Sequence, residues 1–218
     1  MYSHAMENYI EAIWRQTLDG GTATTSEVAR ALGVTAASTS YMFKKLAAAG
    51  LVEYKEYSGV SLTAHGKQFA ISFIRRHRIV ERFLVQTLGV AWEDADDLTH
   101  EMEQAVPEEV LERMHAQMGY PTTCPHGYPI PSKDGTYPEL NLRPVVDLTP
   151  GEGAPIGQVS EHDPELLRYF ARQGLQPGRG LRMLEHDAVG QTYTLELEGR
   201  PAPLVLAAAV AAHVRVHA

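Results

Sequence analysis

The chain has one cysteine, Cys124, set in Thr-Thr-Cys-Pro-His-Gly-Tyr-Pro-Ile-Pro (residues 122–131), with His126 two positions on. A single thiol forms no internal disulfide, and a finger-type zinc site needs two or more cysteines at short spacing, so both chemistries are closed. Three readings remain: half of a metal site whose other ligands come from distant sequence, a reactive thiol, or a stiff surface loop. His126 is the only basic neighbour within five positions that could lower the thiol's pKa, which disfavours a redox switch. Three further runs carry donors at one-turn spacing: Asn8 with Glu11, His77 with Glu81, and His100 with Glu103 and Gln104. On helices that spacing stacks side chains on one face. Any one such pair is more often a surface pair than a ligand pair, and cation binding gains weight because all three runs fall on helices that must pack together.

Charge points the same way. The net charge is −8, and from Glu81 to Arg113 ten acidic residues face two arginines, so this segment carries about the whole excess. It is either a solvated helix face or a cation site. The first seventy residues are balanced, with six basic and six acidic side chains, so the overall sign does not exclude nucleic acid there. No His-Glu-x-x-His, no Gly-x-Ser-x-Gly and no phosphate loop occurs, and no spare general base accompanies the donors, so the chain reads as no enzyme. A metal-dependent hydrolase is the rival reading from that class.

These donors need elements to position them. At 218 residues with 44% hydrophobic content the chain can bury a real core. Residues 5–18 place Met6, Tyr9, Ile10, Ile13, Trp14 and Leu18 at helical spacing. Thr25 or Ser26 caps a short helix to Leu32, Gly33 makes a turn, and Thr35 caps a second helix that Gly50 stops. Leu51–Lys55 and Val60–Thr63 then read as two strands of a wing. This is a winged helix-turn-helix, in which Thr35, Ser38, Thr39, Ser40 and Lys44 can enter a major groove and Lys55 and Tyr57 approach phosphates.

A long helix follows from Ala64 to about Leu88, then helices at roughly Glu93–Ala105 and Pro107–Met118, with Pro107 at a first-turn position. A Pro/Gly-rich connector leads to short strands at Val145–Leu148, Gln158–Val159, Leu181–Leu184 and Thr192–Leu197, with one helix at Pro164–Gln173. Five or so strands and one helix suggest a small barrel. The fold class is therefore mainly α with small β parts. The domains are expected at 1–72 (winged helix), 73–120 (helical, metal-binding and dimerising), 121–143 (connector carrying ligands) and 144–218 (SH3-like barrel). There is no leader pattern, and the longest apolar run, Leu204–Val214, is too short to span a bilayer, so a cytoplasmic protein with a reduced thiol is expected.

The run MENYIEAI, the helix-turn-helix, RRHRIVERFL, the Glu-Met-Glu-Gln helix, CPHGYPIP and the small barrel together resemble, in order, the diphtheria toxin repressor family of metal-dependent regulators (DtxR and MntR). The resemblance implies a three-part member with a FeoA-type barrel that binds a palindromic operator in duplex DNA as a homodimer, with no membrane and no small organic substrate as partner. It also implies two divalent-cation sites per subunit. The first would use Glu81, His77, Cys124 and His126 with an acidic group from the barrel, Asp163, His162 being the alternative. The second would use Asn8, Glu11, His77, His100, Glu103 and Gln104, and the division of His77 stays open. Manganese-responsive relatives have Asp, Glu and His where this chain has Asn8, His100 and Gln104. Oxygen and imidazole donors suit Mn²⁺ or Fe²⁺, whereas a thiolate favours Zn²⁺ or Cd²⁺ as substitutes. Metal occupancy would set the spacing of two recognition helices and so repress metal-uptake genes; a winged-helix regulator that ignores metal is the alternative.

Overall fold

The computed structural model of the chain describes residues 3–17, 21–56, 58–160 and 163–218. They divide into two compact units: residues 1–76 with 131–137, and residues 77–130 with 138–218. The connector expected at 121–143 is thus shared between units, and the helical and barrel segments fall in one. No helix among the described residues is long and apolar enough to cross a membrane.

In the first unit α1 (His4–Gln16) buries Tyr9, Ile10 and Ile13, the i, i+1, i+4 stripe of an amphipathic helix. The helix α2 (Thr25–Ala31) starts one or two residues earlier than a cap at Thr25 or Ser26 would give. Thr24 is its N-cap, and Thr24 and Glu27 form a reciprocal capping box. Gly33 at φ +63° supports the turn into α3 (Ala36–Ala48), which Thr35 caps. Strands β1 (Val52–Lys55) and β2 (Gly59–Leu62) pair antiparallel, Val52 opposite Leu62. Val28, Phe43, Leu46, Val60 and Phe73 close the core over Ile10 and Ile13. Leu18 and Tyr57 lie outside the described residues.

The long helix α4 (Ala64–Gln86) begins in the first unit and ends in the second. It is followed by α5 (Ala95–Met102) and α6 (Glu108–Gln117). Pro107 is the N-cap of α6 with extended backbone, one position before the expected first turn. Ile79, Val80 and Leu84 of α4 pack with Leu111 of α6 and Ile130.

Six strands form one antiparallel sheet in the order β3 (Leu142–Pro144), β8 (Val214–His217), β4 (Gly153–Val159), β5 (Gly180–Asp187), β6 (Thr192–Leu197), β7 (Leu204–Ala207). Helix α7 (Pro164–Gln173) covers it with Leu167 and Phe170, and α8 (Ala208–Ala211) is a single turn. Val145–Asp147, expected as a strand, is a 3-10 turn: Leu148 N–H donates back to Val145 O, which a strand would not do. The register between β4 and β8 shifts between Ile156 and Gln158, leaving Gly157 as a bulge.

Candidate metal centre and DNA-facing helix

The segment holding Cys124 and His126 is a closed turn. Thr123 and Pro129 form an antiparallel bridge. Cys124 N–H donates to Tyr128 O at 2.8 Å, Gly127 N–H to Cys124 O at 3.0 Å and Ile130 N–H to Thr122 O at 2.8 Å. Gly127 sits at φ +90°, where L side chains are strained. A Cβ there would lie 2.0 Å from Gly157 O, so the turn approaches the β4 bulge as only glycine allows. Val159 N–H donates to His126 O at 3.0 Å, fixing the turn to β4.

Within this frame the ligand atoms of Glu81, Cys124 and His126 lie within 4.8 Å of one another, all three residues buried. His126 Nδ1 is 3.1 Å from Glu81 Oε1. Its Nε2–H donates to Trp92 O at 3.0 Å, which orients the ring and turns Nδ1 to the cluster, the arrangement that backs a metal-binding imidazole. Burial pulls the His126 imidazolium down, but hydrogen bonds with Cys124 and Glu81, and their charges, outweigh it and push His126 up to about 11. The pocket therefore demands a positive charge, which a proton supplies when no cation does. Glu81 Oε2 is buried with no hydrogen-bond partner. An unpaired buried polar atom costs about 1–3 kcal/mol, more for a charged group, and a cation bound there removes the penalty.

A second cluster adjoins through α4. His77 Nδ1 is 2.9 Å from Glu103 Oε2 and His77 Nε2 is 3.2 Å from Asp96 Oδ1. The His77 and His100 rings meet edge-on at 4.8 Å, and His100 Nδ1 donates to Asp96 O at 2.9 Å. Burial lowers His77, yet hydrogen bonds to Asp96 and Glu103 and the charges of Glu81 and Glu103 hold it well above the usual imidazole range. Its ligand atoms group once with His100 and Glu103 and once with Glu81 and Asp96. His77 thus sits with the α5 donors, and Glu81 is the residue common to both clusters. The sequence reading missed Asp96; its one signal is the i, i+4 relation to His100 on α5.

The remaining expected donors differ. Asp163 is exposed and caps α7, its Oδ1 accepting from Glu165 N–H at 2.9 Å and Leu166 N–H at 3.3 Å, and it joins no cluster. Asp followed by Pro164 and Glu165 opens a helix, and the cap is the role its Oδ1 takes here. His162 lies outside the described residues. Gln104 is exposed. Asn8 and Glu11 belong to the first unit: Asn8 Oδ1 is buried without a hydrogen-bond partner, and Glu11 pairs with Arg15. The donors fit a divalent cation. Carboxylate oxygen and imidazole suit Mn²⁺ or Fe²⁺, and the Cys124 sulfur adds affinity for Zn²⁺ or Cd²⁺.

On α3, Ser38 and Lys44 are exposed and Ser40 is half-buried. Thr35 is exposed, but its Oγ accepts the Ser38 N–H as the helix cap. Thr39 is 0% exposed and donates to Thr35 O at 3.0 Å, so it faces the core and not a groove. Tyr41, which sequence reading passed over, is 60% exposed with Lys45 Nζ 5.0 Å from its ring centre. Its place, three residues after Ser38 and three before Lys44, was the available signal. Lys55 is exposed at the end of β1.

Three families match along the chain: the iron dependent repressor N-terminal DNA binding domain over residues 1–60, the iron dependent repressor metal binding and dimerisation domain over 63–132, and the FeoA domain over 143–218. The iron-dependent repressor IdeR of Mycobacterium tuberculosis is 28% identical over 183 residues, covering 78% of this chain and 80% of IdeR. A manganese-dependent transcriptional repressor solved in complex with manganese matches with a TM-score of 0.88 at 31% identity, over 98% of this chain and 99% of that one. ScaR with bound Cd²⁺ matches with a TM-score of 0.82 at 28% identity, over 97% and 98%. Agreement in domain order along the sequence and in fold over nearly its whole length places the chain in the iron-dependent repressor family, the DtxR family of transcriptional regulators.

Proposed function

We propose that the chain is a metal-dependent transcriptional regulator that binds duplex DNA as a homodimer and represses metal-uptake genes when Mn²⁺ or Fe²⁺ is bound. The observation that carries this is the fully buried Glu81, Cys124 and His126 cluster with its unpartnered carboxylate oxygen. These three residues would hold one ion. His77, His100 and Glu103, with Asp96, would hold a second. A cation supplies charge neutralisation that otherwise falls to protons on His126 and His77. Glu81 and His77 hold their places from α4, Trp92 O orients His126, and β4 fixes the turn. On the DNA side, Ser38, Tyr41 and Lys44 of α3 would enter the major groove, two such helices meeting a palindrome at half-sites about 34 Å apart.

Turning a 1:99 mixture of DNA-competent and incompetent forms into 99:1 needs about 5.5 kcal/mol of differential metal affinity. The test is operator binding by metal-stripped protein before and after Mn²⁺ or Fe²⁺ is added anaerobically, with Cys124→Ser alongside. A large rise in affinity in the wild type, diminished in Cys124→Ser, is expected. Operator affinity indifferent to both metals would overturn the proposal. Trp92, whose ring lies 5.1 Å from that of His126, is the fluorophore placed to report occupancy.

A further inference from the structure

Arg78 follows His77 on α4 and precedes Glu81 by one turn, yet its side chain offers no atom that a cation would accept. It is buried, 6% exposed. Its Nη1 donates to Pro129 O at 2.6 Å, and its guanidinium stands 5.2 Å from the Tyr128 ring centre. Both partners lie in the returning arm of the ligand turn. That arm is the one to which Cys124 is hydrogen-bonded, through Tyr128 O. One side chain thus holds, by one hydrogen bond and one cation–π contact, the arm that Cys124 is paired to, and does so from the helix that carries Glu81 and His77.

We propose that Arg78 is a positioning residue of the metal centre, seating the Cys124–His126 turn against α4 so that the thiol and imidazole meet Glu81. Lysine does not replace this function, because it lacks the broad delocalised cation that lies over Tyr128 while donating from one fixed N–H to a carbonyl. Arg75, one turn earlier, makes the analogous bond to Pro131 O at 3.0 Å within the first unit. It is a built-in control, being a buried arginine on the same helix that holds the connector but not the ligand turn.

The proposal rests on the metal reading only for its second readout. The first uses metal-free protein: because Cys124 is the sole thiol and is buried, its rate of reaction with an aromatic disulfide reports the seating of the turn. Arg78→Met is expected to raise that rate ten- to a hundredfold, Arg78→Lys by an intermediate factor, and Arg75→Met by less than about threefold, with thermal midpoints recorded for all. The second readout is Co²⁺ titration. The thiolate-to-cobalt charge-transfer band should weaken in Arg78→Met, with affinity lower by roughly ten- to a hundredfold, the effect of removing groups that orient metal ligands. Wild-type labelling rate and an unchanged band in Arg78→Met would overturn the proposal, as would equal acceleration in Arg75→Met, which signals general loosening. If the wild type itself shows no such band while Arg78→Met still exposes Cys124, the metal reading fails and the seating of the turn by Arg78 stands.

Discussion

Replacing Gly127 with alanine should detach the ligand turn from the barrel while leaving the cores of the winged helix and of the sheet in place. Alanine at φ +90° costs about 1–2 kcal/mol in backbone strain alone. The new Cβ would lie 2.0 Å from Gly157 O, where ordinary contact begins at 3.4 Å, so the two backbones must part by more than an ångström. The 3.0 Å bond from Val159 N–H to His126 O does not survive that, which removes about 1 kcal/mol and leaves buried main-chain groups unpaired at a further 1–3 kcal/mol. Together these amount to about 3–6 kcal/mol, or two to four decades in Mn²⁺ affinity if the ion is held only by the seated turn. A competition titration against a fluorescent chelator measures this. Gly135→Ala is the matched control, because Gly135 has φ +87° but nothing within 4 Å of a Cβ, isolating strain from collision. Gly127→Ala binding Mn²⁺ within tenfold of the wild type would refute the claim that the β4 contact supports the site.

The folded pKa of His126, about 11, lies above its ordinary 6.5, so its protonation stabilises metal-free protein fully below pH 6.5 and that stabilisation is lost as pH rises toward 11. His77 shifts in the same direction. The thermal midpoint of metal-free protein should therefore fall between pH 7 and 10. Affinity for the ion held by Glu81, Cys124 and His126 should instead rise about tenfold per pH unit from 6 to 8 as it displaces the His126 proton; a pH-independent affinity would contradict this. Lys44→Ala should weaken binding to operator and random DNA alike and lower the salt slope by about one, read from fluorescence anisotropy at several ionic strengths. Tyr41→Ala should reduce the preference for operator over random DNA by about 1 kcal/mol or more, whereas Thr39→Ala should lower stability and leave that preference intact. Asp163→Ala should cost about 1 kcal/mol of stability by denaturant titration, through loss of the α7 cap, with metal stoichiometry unchanged.

What was legible in the sequence followed from local rules. Thr35 and Gly50 bracket α3, and Thr192–Leu197 alternates in and out as a half-buried strand must. Where two local rules competed, reading failed. Val145-Val146 has strand propensity, but lying directly after Pro144 they curl into a 3-10 turn. The apolar run from Leu204 to Val214 hides β7, a helical turn and the start of β8, because a continuous run carries no period. In the site, donor types and spacing marked Cys124 with His126 and His77 with Glu81 as separate pairs, and the family resemblance joined Glu81 to Cys124 and His126, which lie within 4.8 Å of one another. Asp96 was lost among Glu93, Asp94 and Asp97, equally acidic neighbours that only the fold distinguishes. Trp92 O and Val159 N–H could not be read at all, since every residue carries those atoms.

That last point bears on how such a chain can change over generations. The barrel meets the ligand turn through an amide of β4 and a carbonyl of its bulge, atoms indifferent to side-chain identity. Side chains on the exposed positions of that strand do not enter this contact, and the burden of invariance falls on Gly127 and on Gly157, whose Cβ would lie 2.3 Å from Leu142 Cδ2. A barrel of different sequence but equal strand geometry could be grafted onto the same helices with the metal response retained.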